Sequence, residues 1–391
     1  MTPAARLQAA IEILDEVIQS ARDEGPAADT IVTRYFKTRR YAGSKDRRAV
    51  RELVFRAIRR SAERPQSGRS AILGLAQDDH ELLRLFSEPR GPESILENEQ
   101  AAPASFVPEW LKAELSPLVG EEEWPSLLER APVDLRVNPA RASRDEMVPE
   151  FASAVPTPIG PWGIRLPPDS RIDDSPAFKH GLVEIQDEGS QLIALACEPH
   201  SGERILDLCA GAGGKALALA AAAPEAEILA TDSNRARLAK LGPRAARAGA
   251  KIATQLLNPP NEVDELSDWR EKADIVLVDA PCSGSGTWRR NPEGRWRLTA
   301  DRLERLLSVQ ARLLNIGAQM VRPGGRLVYA VCSLLSREGA GQVDAFLSRH
   351  SSWQIQELDI AAGRADGAGR LLTPGHDATD GFFIARLGRP C

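Results

Sequence analysis

Two apolar stretches of the chain end in small loops that each present a thiol. Residues 275–286, IVLVDAPCSGSG, carry Cys282, and residues 324–333, GGRLVYAVCS, carry Cys332. Short apolar runs rich in Val and Ile read as buried strands, so the two thiols are expected side by side at strand ends. A thiol so placed can add to an electrophilic carbon and later be expelled, which is covalent catalysis. Upstream, ILDLCAGAGGK (205–215) reads as a strand, a loop with Gly211, Gly213 and Gly214, and a helix start. Glycines let the backbone approach a ligand closely, and a helix N-terminus favours a carboxylate or phosphate. Asp207, just before the loop, can anchor an ammonium group. Asp232 closes the next strand, where an acid binds ribose hydroxyls. The set points to an adenosine cofactor. The G-x-G-G spacing is not the dinucleotide pattern G-x-G-x-x-G, and the absence of GxxxxGKS or GxxxxGKT excludes a P-loop.

The loop DAPCSGSG narrows the chemistry, because Asp279 and Cys282 offer a carboxylate and a thiol to one pocket. Cytosine C5 is too weak a nucleophile to take a methyl group directly. A thiolate adding to C6 makes C5 enamine-like, after which the C5 proton must leave and the thiol be expelled. Such a reaction needs an activated cysteine, an acid near N3 and a base for the C5 proton. Spacing alone leaves either Cys282 or Cys332 as the nucleophile.

The elements that must hold these groups follow from pattern. From Val183 onward strands alternate with helices: 205–215, EILATD (227–232), a helix over 235–248, KIATQLLN (251–258), IVLVDAPC (275–282), a helix over 301–321, RLVYAVCS (326–333), a helix over 342–349, a strand near 353–358 and GFFIARL (381–387). This alternation predicts an α/β fold with a mostly parallel, doubly wound sheet and a late antiparallel hairpin. Its ligands bind beyond the carboxyl ends of the strands. Four regions are expected: helices over 1–75, a linker with a short helix at Leu82–Phe86 over 76–104, a small α+β module over 105–180, and the α/β domain over 181–391. In the first, Leu7, Ile11, Leu14 and Ile18 share one helix face, as do Val50, Leu53, Val54, Ala57 and Ile58. In the third, Phe106–Leu118 carries a helical pattern, and 133–138 (VDLRVN) and 163–166 read as strands.

The chain has 391 residues, 42% hydrophobic and 27% charged, with net charge −5, the composition of a globular protein of two or three domains. Within this acidic background, Arg34 to Arg64 holds twelve Lys or Arg against three acids. Concentrated positive charge of this kind tracks a phosphate backbone, which makes Arg47 and Arg48 candidate RNA contacts. Arg136 and Asn138 are further candidates. Five cysteines without a CxxC pair and five scattered histidines give no metal-ligand spacing, so no metal is expected. The odd, unpaired set of thiols fits a reducing cytoplasm. No apolar run nears the roughly 20 residues that span a bilayer, and MTPAARLQAAIEILDEVI mixes charge into helical periodicity, unlike a signal peptide. A monomer is the default expectation. Asn258–Pro260 is followed by Asn261 rather than an aromatic residue and succeeds the third strand, so it is set aside as an amino-methylation motif.

Taken in order, DLCAGAGGK, TD, DAPCSGSGTWRRNPEGRW, GGRLVYAVCS and DGFFIARL resemble the successive motifs of the Nol/Nop/Sun family of RNA cytosine-C5 methyltransferases, across about residues 180 to 388. RRYAGSKDRRAVRELVFRAIRR resembles the NusB-like helical domain of the bacterial RsmB (Sun) branch, and VDLRVNPAR its small pre-catalytic region. The resemblance implies a Rossmann-like class I methyltransferase domain with a seven-stranded sheet, preceded by an all-α NusB-like domain and a small α+β module. It implies S-adenosylmethionine on Asp207, Cys209, Ala210, Gly211, Ala212, Gly213, Gly214 and Lys215, with Asp232 on the ribose, Asn258 at the adenine and Asp279 between cofactor and base. It makes Cys332 the nucleophile and Cys282 the thiol that resolves the adduct. Arg289, Arg290, Asn291 and Trp296 match a loop bordering the RNA. The chain departs from the family pattern at Ala212 (Pro), Asn258 (often an acid) and Val331 (Thr). The implied activity is formation of 5-methylcytosine in RNA during rRNA processing, on 16S ribosomal RNA. Transfer RNA and a noncatalytic RNA-binding or assembly role are the alternatives.

Overall fold

The computed structural model describes residues 1–391, which divide into two compact units. The first comprises 1–114, 124–129 and 287–300; the second comprises 115–123, 130–286 and 301–391.

The first unit is helical. Its main helices are α1 (Pro3–Arg22), α2 (Ala28–Lys37), α3 (Ser44–Arg60) and α4 (Gly68–Asp78). The Thr2 hydroxyl caps α1 by accepting from the Ala5 amide. Leu7, Ile11, Leu14 and Ile18 face inward from α1, where they join Val50, Val54, Ala57 and Ile58 of α3 and Ile72 of α4 in one core. The expected helix at Leu82–Phe86 is a 3-10 turn, His80–Leu85. The segment 287–300 belongs to this unit and carries a short helix, Gly294–Arg297. Its Trp296 lies in the α1–α4 core.

The second unit holds two sheets. The smaller is antiparallel in the order β2 (Val155–Pro156), β3 (Gly163–Leu166), β1 (Val133–Val137), β4 (Val183–Ile185). The larger has nine strands: β5 (Arg204–Asp207), β6 (Glu227–Asp232), β7 (Ala253–Leu256), β8 (Ala273–Asp279), β9 (Val321–Val331), β10 (Gln354–Gln356), β11 (Arg364–Asp366), β12 (Gly369–Leu372) and β13 (Phe382–Gly388). Five of them run parallel in the order β9-β8-β5-β6-β7, and β13 pairs antiparallel with β9. The sheet is wider than seven strands because the β11–β12 hairpin and β10 both pair outward from β13. Ile205, Ile275, Leu277, Val328 and Ile384 bury one face under the helices Glu188–Ala196 and Gly214–Ala222.

Two local readings change. Phe106–Leu118 forms only the 3-10 turn Glu109–Leu111. Pro117 drives the preceding residue away from helical dihedrals, the Ser116 amide donates to the Leu334 carbonyl, and Leu115 bridges Leu335. The helix expected over 235–248 is two, Arg235–Leu238 and Leu241–Ala248. Pro243 lacks an amide hydrogen and fits only a first helical turn, so it starts a new helix.

Candidate active site

The parallel strands β5, β6, β8 and β9 end on one edge of the sheet, and each delivers one polar group there: Asp207, Asp232, Asp279 and Cys332. Between β5 and β8 the strand order reverses, which opens the crevice in which such sheets bind ligands.

The glycine loop joins β5 to the helix Gly214–Ala222. Gly211 and Gly213 take φ of +57° and +82°, left-handed values that only glycine adopts without cost. Asp232 organises the loop's mouth: its carboxylate accepts from the Gly211 amide at 2.8 Å and from the Asn234 amide at 2.6 Å. Asp207 is 1% exposed, and neither of its carboxylate oxygens has a hydrogen-bond partner. Burial, with the neighbouring charge of Asp279 adding to it, pushes its pKa up to about 7. A buried, unsatisfied carboxylate is costly unless a cation completes it. The ammonium of an amino-acid-bearing cofactor fits that requirement, and the glycine loop with Asp232 fits its nucleoside. Asn258 is exposed and donates its side-chain amide to Glu265 at 2.9 Å, a bond that does not use its amide carbonyl.

The Lys215 ammonium donates to Asp279 at 2.7 Å. Burial opposes its charge, but Asp279, and then the nearby Cys332 sulfur and Asp207, outweigh that and raise its pKa. The Cys209 thiol is pushed up by burial and by Asp207.

Strands β8 and β9 pair with Asp279 opposite Ala330, so Cys282 and Cys332 emerge side by side. Their sulfurs are 3.3 Å apart. The Cys282 pKa is raised well above normal, first by its hydrogen bond to Cys332 and then by burial, and either sulfur can be the donor of the bond between them. Below the thiols lies Glu338, fully buried. Its carboxylate accepts from the Ser283 amide at 2.8 Å, from the Gln310 side chain at 2.9 Å, and from the hydroxyls of Ser283 and Ser333. The Ser285 hydroxyl receives the Leu334 amide at 2.8 Å, and the Gly286 amide donates to the Cys332 carbonyl at 3.1 Å. The two cysteine loops are thereby fastened to each other. Sequence reasoning passed over Glu338, and its signal is modest: an acid five residues beyond Ser333 in a loop dense in serine.

Some expected RNA contacts lie elsewhere. Arg136 is 2% exposed and donates to the Gln186 side chain and to the Gly214 carbonyl at 2.8 Å, so it braces the glycine loop rather than a polynucleotide. Asn138 is buried and donates to the carbonyls of Gly181 and Ala248. Trp296 is buried in the helical unit, with its indole nitrogen donating to the Ser61 carbonyl at 2.9 Å, and Arg289 is also buried. Arg47, Arg48 and Asn291 are exposed and Arg290 is half-buried.

The sequence profile of a family described as 16S rRNA methyltransferase RsmB/F matches residues 194–388. Ribosomal RNA small subunit methyltransferase B of Salmonella arizonae is 34% identical over 352 residues, which span 87% of this chain and 77% of that protein. The chain belongs to the RsmB/F family of methyltransferases. The protein of the same description from Xanthomonas campestris pv. campestris is 37% identical over 288 residues, spanning 72% of this chain and 66% of that one. Among solved structures, PH0851 has a TM-score of 0.75 at 23% identity over 99% of both chains. NSun6 from Pyrococcus horikoshii, solved with SFG, has a TM-score of 0.65 at 21% identity, covering 72% of this chain and 98% of that one. Members of the RsmB/F family depend on S-adenosylmethionine, and the donor set at Asp207, Asp232 and the glycine loop suits that molecule. No helix is long and apolar enough to cross a membrane.

Proposed function

We propose that this protein methylates C5 of a cytosine in small-subunit ribosomal RNA through a covalent bond between Cys332 and C6. The observation that carries the reading is the pair of thiols 3.3 Å apart at adjacent strand ends, on the sheet edge that also holds Asp207 and Asp232. S-adenosylmethionine, when bound, supplies an electrophilic methyl group. The Asp207 carboxylate would hold its ammonium, Asp232 its ribose and Asn258 its adenine.

The remaining work falls to the chain. The Cys332 sulfur, as thiolate, would form a bond to C6, and the electron pair of the C5–C6 double bond moves into the ring as N3 takes a proton from Asp279, relayed from the Lys215 ammonium that donates to it at 2.7 Å. That raises electron density at C5, the carbon to be methylated. Once C5 is methylated, N3 gives its proton back to the carboxylate that lent it, and loss of the C5 proton to a base re-forms the C5–C6 double bond as the C6–S bond breaks, with that bond's electrons returning to sulfur. Cys282, within hydrogen-bond reach of the leaving sulfur, would return a proton as the Cys332 thiolate leaves. Lys215 keeps Asp279 oriented through their 2.7 Å hydrogen bond. Exposed arginines of α3, Arg47 and Arg48 among them, would hold the RNA backbone.

Labelled S-adenosylmethionine with 16S and transfer RNA tests the substrate. Label confined to transfer RNA overturns the ribosomal assignment, and cofactor binding without any methyl incorporation returns the chain to an RNA-binding role. Cys282→Ala is expected to accumulate a covalent protein–RNA adduct resolvable on a denaturing gel. Cys332→Ala is expected to lower activity by at least about 10³-fold and form no adduct. An adduct in Cys332→Ala would show that the roles are reversed.

A further inference from the structure

The glycine loop faces an energetic problem. Flexible, glycine-containing backbone is expensive to order, and a ligand that must order its own loop binds more weakly. The structure meets this from behind the loop. Arg244, on the helix Leu241–Ala248, donates through Nη1 to the Ala212 carbonyl at 2.6 Å and through Nη2 to Glu184 at 3.0 Å. Glu184 is 4% exposed, sits opposite Arg136 in the β1–β4 ladder, and also receives Arg247. Arg136 holds the Gly214 carbonyl at 2.8 Å. One turn before Arg244, the Leu241 side chain presses on Gly213, where an added Cβ would lie 2.5 Å from it. The carbonyls on both sides of Gly213 are therefore gripped by guanidinium groups, and neither group is at the thiols.

We propose that Arg244, anchored on the buried carboxylate of Glu184, is a positioning residue for S-adenosylmethionine that fixes the glycine loop by gripping the Ala212 carbonyl. Ala212 gives the turn no stiffness of its own, and the clamp supplies it. The inference extends the cofactor reading given above. It gives the small antiparallel sheet a role, since β1 and β4 carry Arg136 and Glu184 to the rear of the cofactor loop.

The experiment compares three variants by calorimetric S-adenosylmethionine binding, by KM for each substrate, and by hydrogen exchange of amides 211–215 in cofactor-free protein. Arg244→Ala is expected to raise the cofactor Kd and KM about tenfold, the scale of one charge-assisted hydrogen bond. Its kcat and RNA KM should change less than about twofold, and its loop amides should exchange faster. Ala212→Pro fixes φ by itself, so the double variant Arg244→Ala/Ala212→Pro should recover most of the lost affinity. Arg244→Lys, whose single ammonium cannot fork between Ala212 and Glu184, should fall between, and it carries the comparison if the alanine variant does not fold. Unchanged Kd and exchange in both Arg244 variants overturn the clamp. So does a loss that proline fails to reduce, or one that falls equally on the RNA KM. Absence of cofactor binding by the unsubstituted protein would instead sink the cofactor reading, and the exchange comparison would still decide the clamp.

Discussion

The helical unit contains two clusters of arginine with opposite fates. On α3, Arg47 and Arg48 are exposed to solvent. In segment 287–300, Arg295 is 2% exposed and donates to the carbonyls of Ile58 and Arg59 at the end of α3, and to those of Phe106 and Pro292. The last carbonyls of a helix lack intrahelical partners, so Arg295 caps α3 as a side chain brought from more than 230 residues away. Burial, with nearby Arg59, lowers its pKa to about 9. Burial is what separates the two: Arg47, although its Nε donates to the Ala42 carbonyl at 2.9 Å, remains exposed, whereas Arg295 is spent inside the core on carbonyls of the α3 terminus.

That contrast can be tested at several strengths. The largest effect is expected from Arg295→Ala, which strands several buried carbonyls and should lower the stability of the helical unit by about 3–4 kcal/mol in denaturant unfolding. A midpoint unchanged from the parent would return Arg295 to the surface cluster. Asp207 is the anionic counterpart of a buried, charge-bearing group. Its folded pKa of about 7 lies above the unfolded value near 4, so its favourable share is present below about pH 4 and is lost as pH rises through 7. Asp207→Asn should flatten the stability profile of the cofactor-free protein between pH 5 and 7, a change of about 2–3 kcal/mol across the window. Through the same window, cofactor binding should release a proton from the parent and none from the variant, read by calorimetry in buffers of different ionisation enthalpy. The smallest stability effect belongs to Arg47→Glu/Arg48→Glu, within about 0.5 kcal/mol. Its consequence should be weaker RNA binding, with the slope of log affinity against log salt reduced by about 0.7–0.9 for each phosphate no longer neutralised. An unchanged slope would make the α3 arginines bystanders.

The parallel strands, the glycine loop and the side-by-side emergence of Cys282 and Cys332 were legible because apolar runs and turn residues are local signals, and the long helix Ala300–Met320 leads directly back into β9 beside β8. The helix at 106–118 was misread because apolar spacing does not register Pro117 or the pairing of Leu115 with Leu335. Arg136, Asn138 and Trp296 were misassigned for a related reason. The carbonyls they satisfy, at Gly214, Ala248 and Ser61, are 60 or more residues distant, and no spacing rule joins them. Glu338 escaped because a loop carboxylate declares itself only through the hydroxyls that fold onto it.

The chain leaves the α/β unit at Gly286, four residues past Cys282, and re-enters it at Asp301. The intervening ribbon places Trp296 and Arg295 inside the α1–α4 bundle. Cutting the gene at a sequence boundary such as residue 181 would therefore not release a free-standing enzyme. The fragment would carry an indole without its core and a guanidinium without the α3 carbonyls it donates to, on the strand-to-helix crossing that bears one of its two sulfurs, and supplying the first 114 residues in trans should be what makes it soluble.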